Sequence, residues 1–368
     1  MIEVDVVIIG AGPAGATAGL ALAPHARVLL VDRSEPVTRI GESLVPAARR
    51  ILHDLGLLES FERDRHPAYL GNRSHWGGSV QETDFLRDPD GPGWHLDRVR
   101  FESFLRRAAA TRGCRVLVPA RLDRIEASSQ GWSVRVSDGR DQIELGCRVV
   151  IDATGRAASL ARRLGARRLH EDRLAARWVR GQVARETSRT AGFSTVESSP
   201  EGWWYSAPLA DGARVLAFHG DADLVFEAES EAELLARARR SPGIAELLAG
   251  TGFMPTGGVA NTAANSSRSE PIGQQAEDSG WLAIGDAALA FDPLASRGLF
   301  NALFTGLAGA LTASRMLTGE PDALAEYSEQ INRIHSAYGR HLALCYAAET
   351  RWPTHPFWAR RGSGSPGS

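Results

Sequence analysis

The stretch VDVVIIGAGPAG, residues 4–15, decides the fold of this chain. Its first half, residues 4–9, is an apolar, β-branched run with one acid, which is typical of a buried parallel strand. The spacing of Gly10, Gly12 and Gly15 suits a tight turn, a close approach of the backbone to a pyrophosphate, and close packing of the next helix on the strand. The N-terminus of that helix offers N–H groups and a partial positive charge to phosphates.

The chain after the glycines continues this pattern. Small residues predominate in the predicted helix, residues 27–31 (RVLLV) are predicted to form a second strand, and Asp32 stands at its end. An acid about 20 residues past the glycines is expected to accept hydrogen bonds from ribose hydroxyls. The order of strand, glycine turn, helix, strand and acid therefore predicts a dinucleotide-binding domain.

A second segment, GDAALAFDPLASRG at residues 285–298, lies near the other end of the chain. Its composition predicts a loop that runs into a helix beside the other end of the same cofactor, and one cofactor held by both ends of a chain indicates a flavoprotein. The apolar stretch that follows, residues 298–316, approaches the length of a membrane span. It carries several polar residues and Arg315, so we expect a buried helix of a core.

Composition excludes several other classes. With 368 residues and a net charge of −2, the chain has no global field that would recruit nucleic acid or an acidic membrane. The three cysteines are odd in number and form no CxxC, which predicts a reducing compartment and argues against a disulfide framework or a metal site. No signal peptide precedes the first strand, and we expect a cytoplasmic protein.

Patterning along the chain predicts the class α/β: a Rossmann-like FAD-binding domain with an inserted antiparallel-sheet substrate domain and C-terminal helices. Residues 97–111 have the spacing of an amphipathic helix. Residues 132–136 and 143–150 alternate as antiparallel strands do, and residues 223–248 are predicted to be helical. The predicted division is an FAD-binding domain of residues 1–75, 98–167 and 260–345, a substrate domain of residues 76–97 and 168–259, and a C-terminal segment of residues 346–368 with a disordered tail.

The order of the motifs resembles a known family. GAGPAG, GESLVP (residues 41–46), DRVRFESFLRRAA (residues 97–109), DATG (residues 152–155) and GDAALAFDPLASRG resemble the FAD-dependent monooxygenases of the p-hydroxybenzoate hydroxylase type. The resemblance spans roughly residues 2–320. GESLVP and the tryptophan-rich EGWWYSAP (residues 201–208) look similar to the flavin-dependent halogenase branch.

The chain departs from halogenases at two points. Those enzymes carry a WxWxIP strand and an essential lysine that handles hypochlorous acid. Here Tyr205 replaces the second tryptophan and Ala207 the isoleucine, and the 42 basic residues are all arginine. The sequence therefore predicts that the protein does not halogenate.

A narrower resemblance rests on SHWG (residues 74–77) and GWHLDR (residues 93–98). These motifs resemble flavoproteins that mature quinone-cofactor enzymes, among them the maturases of lysine and glycine oxidases and the hydroxylase that serves quinohemoprotein amine dehydrogenase. The resemblance implies hydroxylation of an electron-rich ring, tryptophan or indole, through a flavin C4a-hydroperoxide. The substrate would be an aromatic small molecule or a tryptophan-bearing polypeptide.

Two other functions stay open: an FAD-dependent dehydrogenase or reductase of a small natural-product substrate, and an FAD-binding maturation chaperone. No second GxGxxG follows a strand, which argues against a separate nicotinamide domain. The electron donor is therefore expected to be NAD(P)H that binds transiently, or reduced flavin from a partner reductase.

Candidate site residues follow from the motifs and from the resemblance. On the substrate side, aromatic rings are candidates for stacking, and a histidine that titrates near neutral pH could act as a base. The catalytic candidates are His75, Trp204, Tyr205 and His219, with Trp76, His95 and Trp203 as further residues on that side. The cofactor-binding candidates are Gly10, Gly12, Ala14, Gly15, Asp32, Arg33, Glu42, Ser43, Arg98, Asp152, Gly155, Asp286, Pro293, Ser296, Gly298 and Leu299.

Overall fold

The structure, a computed structural model, describes residues 2–33, 40, 42–128, 130–187, 190–224, 230–277 and 279–362. The strands are β1 (Ile2–Glu3), β2 (Val6–Ile9), β3 (Val28–Val31), β4 (Glu42–Leu44), β5 (Ala68–Tyr69), β6 (Gly71–Trp76), β7 (Ser79–Asp84), β8 (Gly93–Leu96), β9 (Arg115–Leu117), β10 (Arg121–Ser128), β11 (Gly131–Ser137), β12 (Gln142–Cys147), β13 (Val149–Asp152), β14 (Arg167–His170), β15 (Leu174–Gln182), β16 (Phe193–Ser199), β17 (Gly202–Pro208), β18 (Ala213–Asp221), β19 (Met254–Ala263), β20 (Ser267–Glu270), β21 (Gly273–Ala276), β22 (Ser279–Ala283) and β23 (Leu289–Ala290). The α-helices are α1 (Pro13–Leu22), α2 (Ala48–Asp54), α3 (Leu58–Glu62), α4 (Arg98–Thr111), α5 (Ser159–Arg163), α6 (Glu231–Ala238), α7 (Pro242–Thr251), α8 (Gly298–Leu317), α9 (Ala323–Ala347) and α10 (Pro356–Gly362).

The first sheet carries the glycine motif and has the strand order β21–β22–β13–β2–β3–β9. Its strands from β22 to β9 run parallel, and β21 is antiparallel at the edge. All four residues of β2 are buried, as expected of a parallel strand covered on both faces. Helix α8 packs along α1, and the two motifs follow β2 and β22, which flank β13, so they meet at the carboxyl ends of these parallel strands.

The second sheet has the order β19–β15–β18–β17–β16–β6–β7 and is antiparallel except for the β6–β16 pair. All nine residues of β18 are buried, because α6 and α7 cover one face of the sheet while the cavity wall and the C-terminal segment cover the other. Strand β6 belongs to this sheet, although the sequence-based division left residues up to 75 with the first domain. The predicted α/β class with an antiparallel second sheet and C-terminal helices is confirmed.

Local predictions agree with the structure except in two places. Asp97 caps α4 by accepting the Arg100 N–H at 3.0 Å, and β11 and β12 pair antiparallel as their alternation predicted. The predicted antiparallel strand 143–150 is divided, because Val149 and Val150 belong to β13, which runs parallel in the first sheet. The other difference is in a helical region. The stretch 223–248, predicted as helical, contains two helices, α6 and α7, and its residues 225–229 lie outside the described residues. The break falls at Pro242, which occupies the first turn of α7 and cannot continue a preceding helix.

The C-terminal segment turns back after α9 and docks on the second sheet. Trp358 donates its indole N–H to the Ser199 carbonyl at 2.9 Å, and the Glu349 carboxylate accepts the Ser198 hydroxyl at 2.6 Å and the Gly77 N–H at 2.9 Å. The predicted disordered tail was residues 360–368, and this prediction is wrong for its first three residues. Residues 360–362 form the last turn of α10, where Arg360 and Arg361 pair with Asp221. Residues 363–368 lie outside the described residues. Among the helices of the described ranges, none is long and apolar enough to cross a membrane.

Candidate cofactor and substrate site

A cavity of about 810 Å³ extends from the glycine turn to the second sheet. Loop 285–298 forms one of its walls, and β15, β17 and β18 contribute residues to the far end. Most of the cofactor-binding candidates line it: Gly10, Gly12, Ala14, Asp32, Arg33, Ser43, Arg98, Gly155, Asp286, Pro293, Ser296, Gly298 and Leu299.

The other three cofactor-binding candidates are not among the residues that line the cavity. Gly15 faces the protein, where a Cβ would lie 1.9 Å from the Gly10 carbonyl oxygen, so its role is the close packing of α1 on β2. Asp152 is buried and shapes the turn after β13, since its carboxylate accepts the N–H groups of Thr154 at 2.8 Å and Ala161 at 2.7 Å. The side chain of Glu42 lies outside the described residues.

The glycine turn fits a pyrophosphate. A Cβ at Gly12 would meet no protein atom within 4 Å, because that side of the backbone faces the cavity. Gly12 caps α1 without a side-chain hydrogen bond, which leaves the first N–H groups of the helix for a ligand. At the end of β3 the Asp32 carboxylate accepts the Ala11 N–H at 2.7 Å and borders the cavity, where a ribose hydroxyl would reach it.

Two arginines that the sequence analysis did not select for this site donate hydrogen bonds to loop 285–298, the cavity wall described above. Arg168 on β14 donates to the carbonyls of Asp286 and Ala287, both at 2.7 Å, and to the hydroxyls of Ser267 and Ser269. Burial lowers the pKa of Arg168 to about 10. Arg168 lies on a strand and points inward, toward the loop that begins at Gly285.

Arg156 makes a similar connection further along the loop. It lines the cavity and donates to the Phe291 carbonyl at 2.7 Å and to the Asn265 carbonyl at 2.6 Å. Its Nε lies 3.6 Å from the Asp286 carboxylate. The sequence signal for Arg156 was its place directly after DATG, in a turn that the parallel sheet brings to the cavity.

Ser43 borders the cavity with a fixed hydroxyl. The His95 Nε2 lies 3.2 Å from the Gly192 carbonyl, which can only accept, so this nitrogen carries the proton. Nδ1 of His95 therefore accepts the hydroxyl of Ser43 at 2.8 Å. Burial lowers the pKa of His95 to about 4, which keeps the imidazole neutral and this orientation stable at ordinary pH.

The four catalytic candidates separate onto the two faces of the second sheet. Tyr205 and His219 line the cavity. Trp204 packs on Phe218 beneath α6 and α7, and the His75 ring packs against Gly243 of α7, where a Cβ would lie 2.5 Å from it. Because successive residues of a strand point to opposite faces, Trp204 cannot share the face of Tyr205. The structure therefore does not bring His75 and Trp204 to the cavity.

His219 is a neutral, buried ring at the far end of the cavity. It is 1% exposed and stacks on Trp203 with ring centroids 3.7 Å apart and an interplanar angle of 4°. Burial lowers the pKa of His219 to about 3. Its Nδ1 is buried and has no hydrogen-bond partner in the described part of the chain, which leaves this nitrogen for a ligand.

Asp292 is a cavity residue that the sequence analysis missed. Its carboxylate is 1% exposed and accepts the Tyr346 hydroxyl at 2.6 Å and the Leu294 N–H at 2.8 Å. Trp203 in turn donates its indole N–H to the Tyr346 oxygen at 3.2 Å. The available signal was an acid directly before Pro293 in the second motif. The two remaining substrate-side candidates, Trp203 and Trp76, are packed in the aromatic cluster around Tyr346.

Comparisons with known proteins agree with this architecture. The family model of the FAD binding domain matches residues 3–247. The putative FAD-dependent oxidoreductase LodB of Marinomonas mediterranea is 29% identical over 97% of this chain and 96% of its own length. The structure of the myxobacterial chondrochloren halogenase CndH superposes with a TM-score of 0.87 at 24% identity, over 98% of this chain and 86% of that chain.

A hydroxylase structure covers the whole chain as well. The peptidyl tryptophan dihydroxylase QhpG, essential for tryptophylquinone cofactor biogenesis, superposes with a TM-score of 0.75 at 25% identity, over 100% of this chain and 80% of that chain. These likenesses confirm the resemblance to the halogenase-like branch of the FAD-dependent monooxygenases. The chain belongs to the FAD binding domain family and is an FAD-dependent oxidoreductase.

Proposed function

We propose that this protein is an FAD-dependent monooxygenase that hydroxylates an electron-rich aromatic ring, tryptophan or indole, in a small molecule or in a partner polypeptide. The observation that carries the proposal is the continuity of the cavity. It has a dinucleotide cradle at Gly12 and Asp32, and ring-binding groups, Tyr205 and His219, at its other end. The likeness to QhpG, which acts on peptidyl tryptophan, supports tryptophan as the ring.

FAD, when bound, supplies the redox chemistry that no side chain of this chain can provide. In the balanced reaction, the aromatic substrate, O₂, NAD(P)H and a proton give the hydroxylated ring, water and NAD(P)⁺. Reduced flavin from a partner reductase is the alternative electron donor to NAD(P)H. The residues of the chain bind, orient and shield. The backbone at Gly12 receives the pyrophosphate, and the N-terminus of α8 at Gly298 directs its partial positive charge into the cavity.

At the far end, the His219 ring and Tyr205 hold the substrate ring. The Nδ1 of His219 is a hydrogen-bond partner for an indole N–H or a ring hydroxyl, and binding would satisfy a buried polar atom that is otherwise costly. The small side chains of Ala176, Ala263 and Ala264 leave room for a flat ring beside them.

Halogenation does not fit this chain. The halogenases that it resembles use a lysine amine, and the sequence contains no lysine. Arginine does not replace that amine, because its guanidinium stays protonated and is not a nucleophile at physiological pH. We therefore expect chloride or bromide in the assay to leave the product unhalogenated.

The proposal is tested by oxygen consumption of the FAD-loaded protein. The assay supplies NADH, NADPH or a flavin reductase, with indole, L-tryptophan and a short tryptophan-containing peptide as substrates. Oxygen uptake that rises with one substrate, together with hydroxylated product in the mass spectrum, supports the monooxygenase. Rapid flavin reduction and a reduced or desaturated product would instead assign the protein to the dehydrogenases or reductases. FAD that is bound but never reduced would assign it to the maturation chaperones.

A further inference from the structure

Asp292 lies where the proposed reaction needs a base, a role that neither His219 nor His95 can fill. Aromatic hydroxylation releases a proton from the ring carbon that receives oxygen, and a base within hydrogen-bond reach accelerates this step. His219 and His95 are held neutral with strongly lowered pKa values. A base that weak accepts a proton poorly near neutral pH.

We propose that Asp292 is the catalytic acid–base group of this cavity and that Tyr346 is the residue that positions it, an assignment that rests on the proposed hydroxylation. In the step assigned to it, the C–O bond forms and the ring C–H bond breaks. The Asp292 carboxylate takes the released proton and later gives it to solvent. The second oxygen atom of O₂ leaves as water, and the two electrons come from NAD(P)H or reduced flavin.

The surroundings of Asp292 distinguish it from the other acids on the cavity wall. Asp32 is bound to the Ala11 N–H at the cofactor end, and Asp286 lies 3.6 Å from the Arg156 Nε. Asp292 is buried at the ring end and, within the described residues, forms no ion pair with an arginine. Its partners are the neutral hydroxyl of Tyr346 and one backbone N–H. Both hydrogen bonds favour the charged carboxylate, but together they do not outweigh its burial.

The charges around Asp292 set when it carries a proton. Burial raises the pKa of Asp292 to about 6, and the hydrogen bond from Tyr346 partly opposes this shift. Asp172 raises the pKa further and Arg361 lowers it. The titratable or charged groups that act on Asp292 are Tyr338, Cys345 and Tyr346 on α9, Asp172 ahead of β15 and Arg361 on α10. The same cavity is also lined by Arg156, Arg297 and His219.

A chain of contacts connects the carboxylate with the ring-binding end. Tyr346 donates to Asp292 and accepts the indole N–H of Trp203, and the Trp203 ring stacks on His219. The same network therefore fixes the base and the group that would hold the substrate. Because the hydroxyl of Tyr346 is already committed to Asp292, the geometry of this carboxylate is set before substrate enters.

The first test uses the ligand-free protein with aspartate labelled at the side-chain carboxyl carbon. We expect an NMR titration near pH 6 that is absent from Asp292→Asn and that moves to higher pH in Tyr346→Phe, since that variant loses a hydrogen bond to the charged form. An Asp292 resonance that titrates in the ordinary aspartate range, or that ignores Tyr346→Phe, overturns the assignment. Tyr346→Phe keeps the test decisive if Asp292→Asn does not fold.

The second test uses the FAD-loaded enzyme and the substrate of the panel that gains oxygen. Asparagine can still accept the Leu294 N–H, so Asp292→Asn is expected to keep FAD affinity and to lose about 100-fold or more of kcat. In the wild type, kcat/KM should fall below about pH 6, where Asp292 takes up a proton. In Asp292→Asn this fall should be absent. Glu329→Gln, which removes an exposed charge on α9 that pairs with Arg333, should keep kcat and the wild-type pH profile.

Retained turnover with an unchanged pH profile in Asp292→Asn overturns the proposal. A wild type that oxygenates no substrate of the panel is the failure of the proposed function instead. In that case the carboxyl titration still decides whether Asp292 is a proton-carrying group of the cavity.

Discussion

Gly12 makes a prediction at the scale of a single residue. A valine there would project into the cavity without touching the protein, because a Cβ at this position meets nothing within 4 Å. We expect Gly12→Val to fold with the melting temperature of the FAD-free wild type and to lose FAD, since the side chain takes the space of the pyrophosphate. FAD absorbance of the purified protein and fluorescence titration with added FAD measure this.

The matched control is Gly250→Val. Gly250 also has open space at its Cβ, but it lies on α7, outside the cavity lining. This variant should stay yellow. A yellow Gly12→Val protein with wild-type FAD affinity would place the cofactor elsewhere and contradict the assignment of the glycine turn.

At the scale of an element, the prediction concerns Arg168 and the loop that begins at Gly285. Its guanidinium donates to two carbonyls of this loop and to two serines of β20. Arg168→Met leaves these acceptors unsatisfied in a buried place, and we expect a loss of about 3 kcal/mol in the free energy of unfolding. FAD affinity should fall about 10-fold, which corresponds to ~1.4 kcal/mol of binding free energy.

Arg167 provides the control on the same strand. Its side chain is 77% exposed and its contact with Glu270 is 3.8 Å long, so Arg167→Met should change stability by less than about 0.5 kcal/mol. Urea unfolding of both variants makes the comparison. Equal effects of the two substitutions would show that the loop does not depend on Arg168.

The turn after α9 makes a second prediction at this scale, with a defined pH dependence. Burial would raise the pKa of Glu349, but hydrogen bonds from Arg351, Ser198 and the Gly77 N–H outweigh it and lower the pKa to about 2. A lowered folded-state pKa means that this stabilisation is complete above the unfolded pKa, about 4.5, and is lost as pH falls toward 2. Hydrogen exchange of residues 350–362 should accelerate over that range.

Glu349→Gln should produce the same release at neutral pH, with a loss of about 2 kcal/mol in the free energy of unfolding. Glu329→Gln is the control, because Glu329 is 69% exposed and, in the described part of the chain, forms an ion pair only with Arg333 across one turn of α9. Exchange in the C-terminal segment that is the same in both variants and independent of pH would contradict the role given to Glu349.

At the scale of the whole molecule, the sequence predicted the structural features that depend on residues close together in the chain. The βαβ unit and the helix after Asp97 depend on spacings within one or two elements, so they were readable from pattern. The cavity wall could not be read this way, because its geometry depends on partners far along the chain. Tyr346 meets Asp292 across 54 residues, and Arg168 meets the Asp286 carbonyl across 118.

The substrate side shows the same limit. The tryptophan-rich stretch was correctly identified as a strand, which is β17. The sequence did not show which of its rings face the cavity, because this depends on the face of the sheet that α6 and α7 cover. That choice is made by packing between elements, and it placed Tyr205 in the cavity and Trp204 under the helices.

The central claim, transfer of one oxygen atom from O₂ to an aromatic ring, is tested most directly by isotope incorporation. The FAD-loaded protein would be reduced and supplied with oxygen-18 gas in ordinary water, with the tryptophan peptide or indole as substrate. The account predicts a product that carries labelled oxygen on the indole ring. An oxidised product whose new oxygen comes from water, or substrate that is reduced or desaturated without any new oxygen, would contradict it.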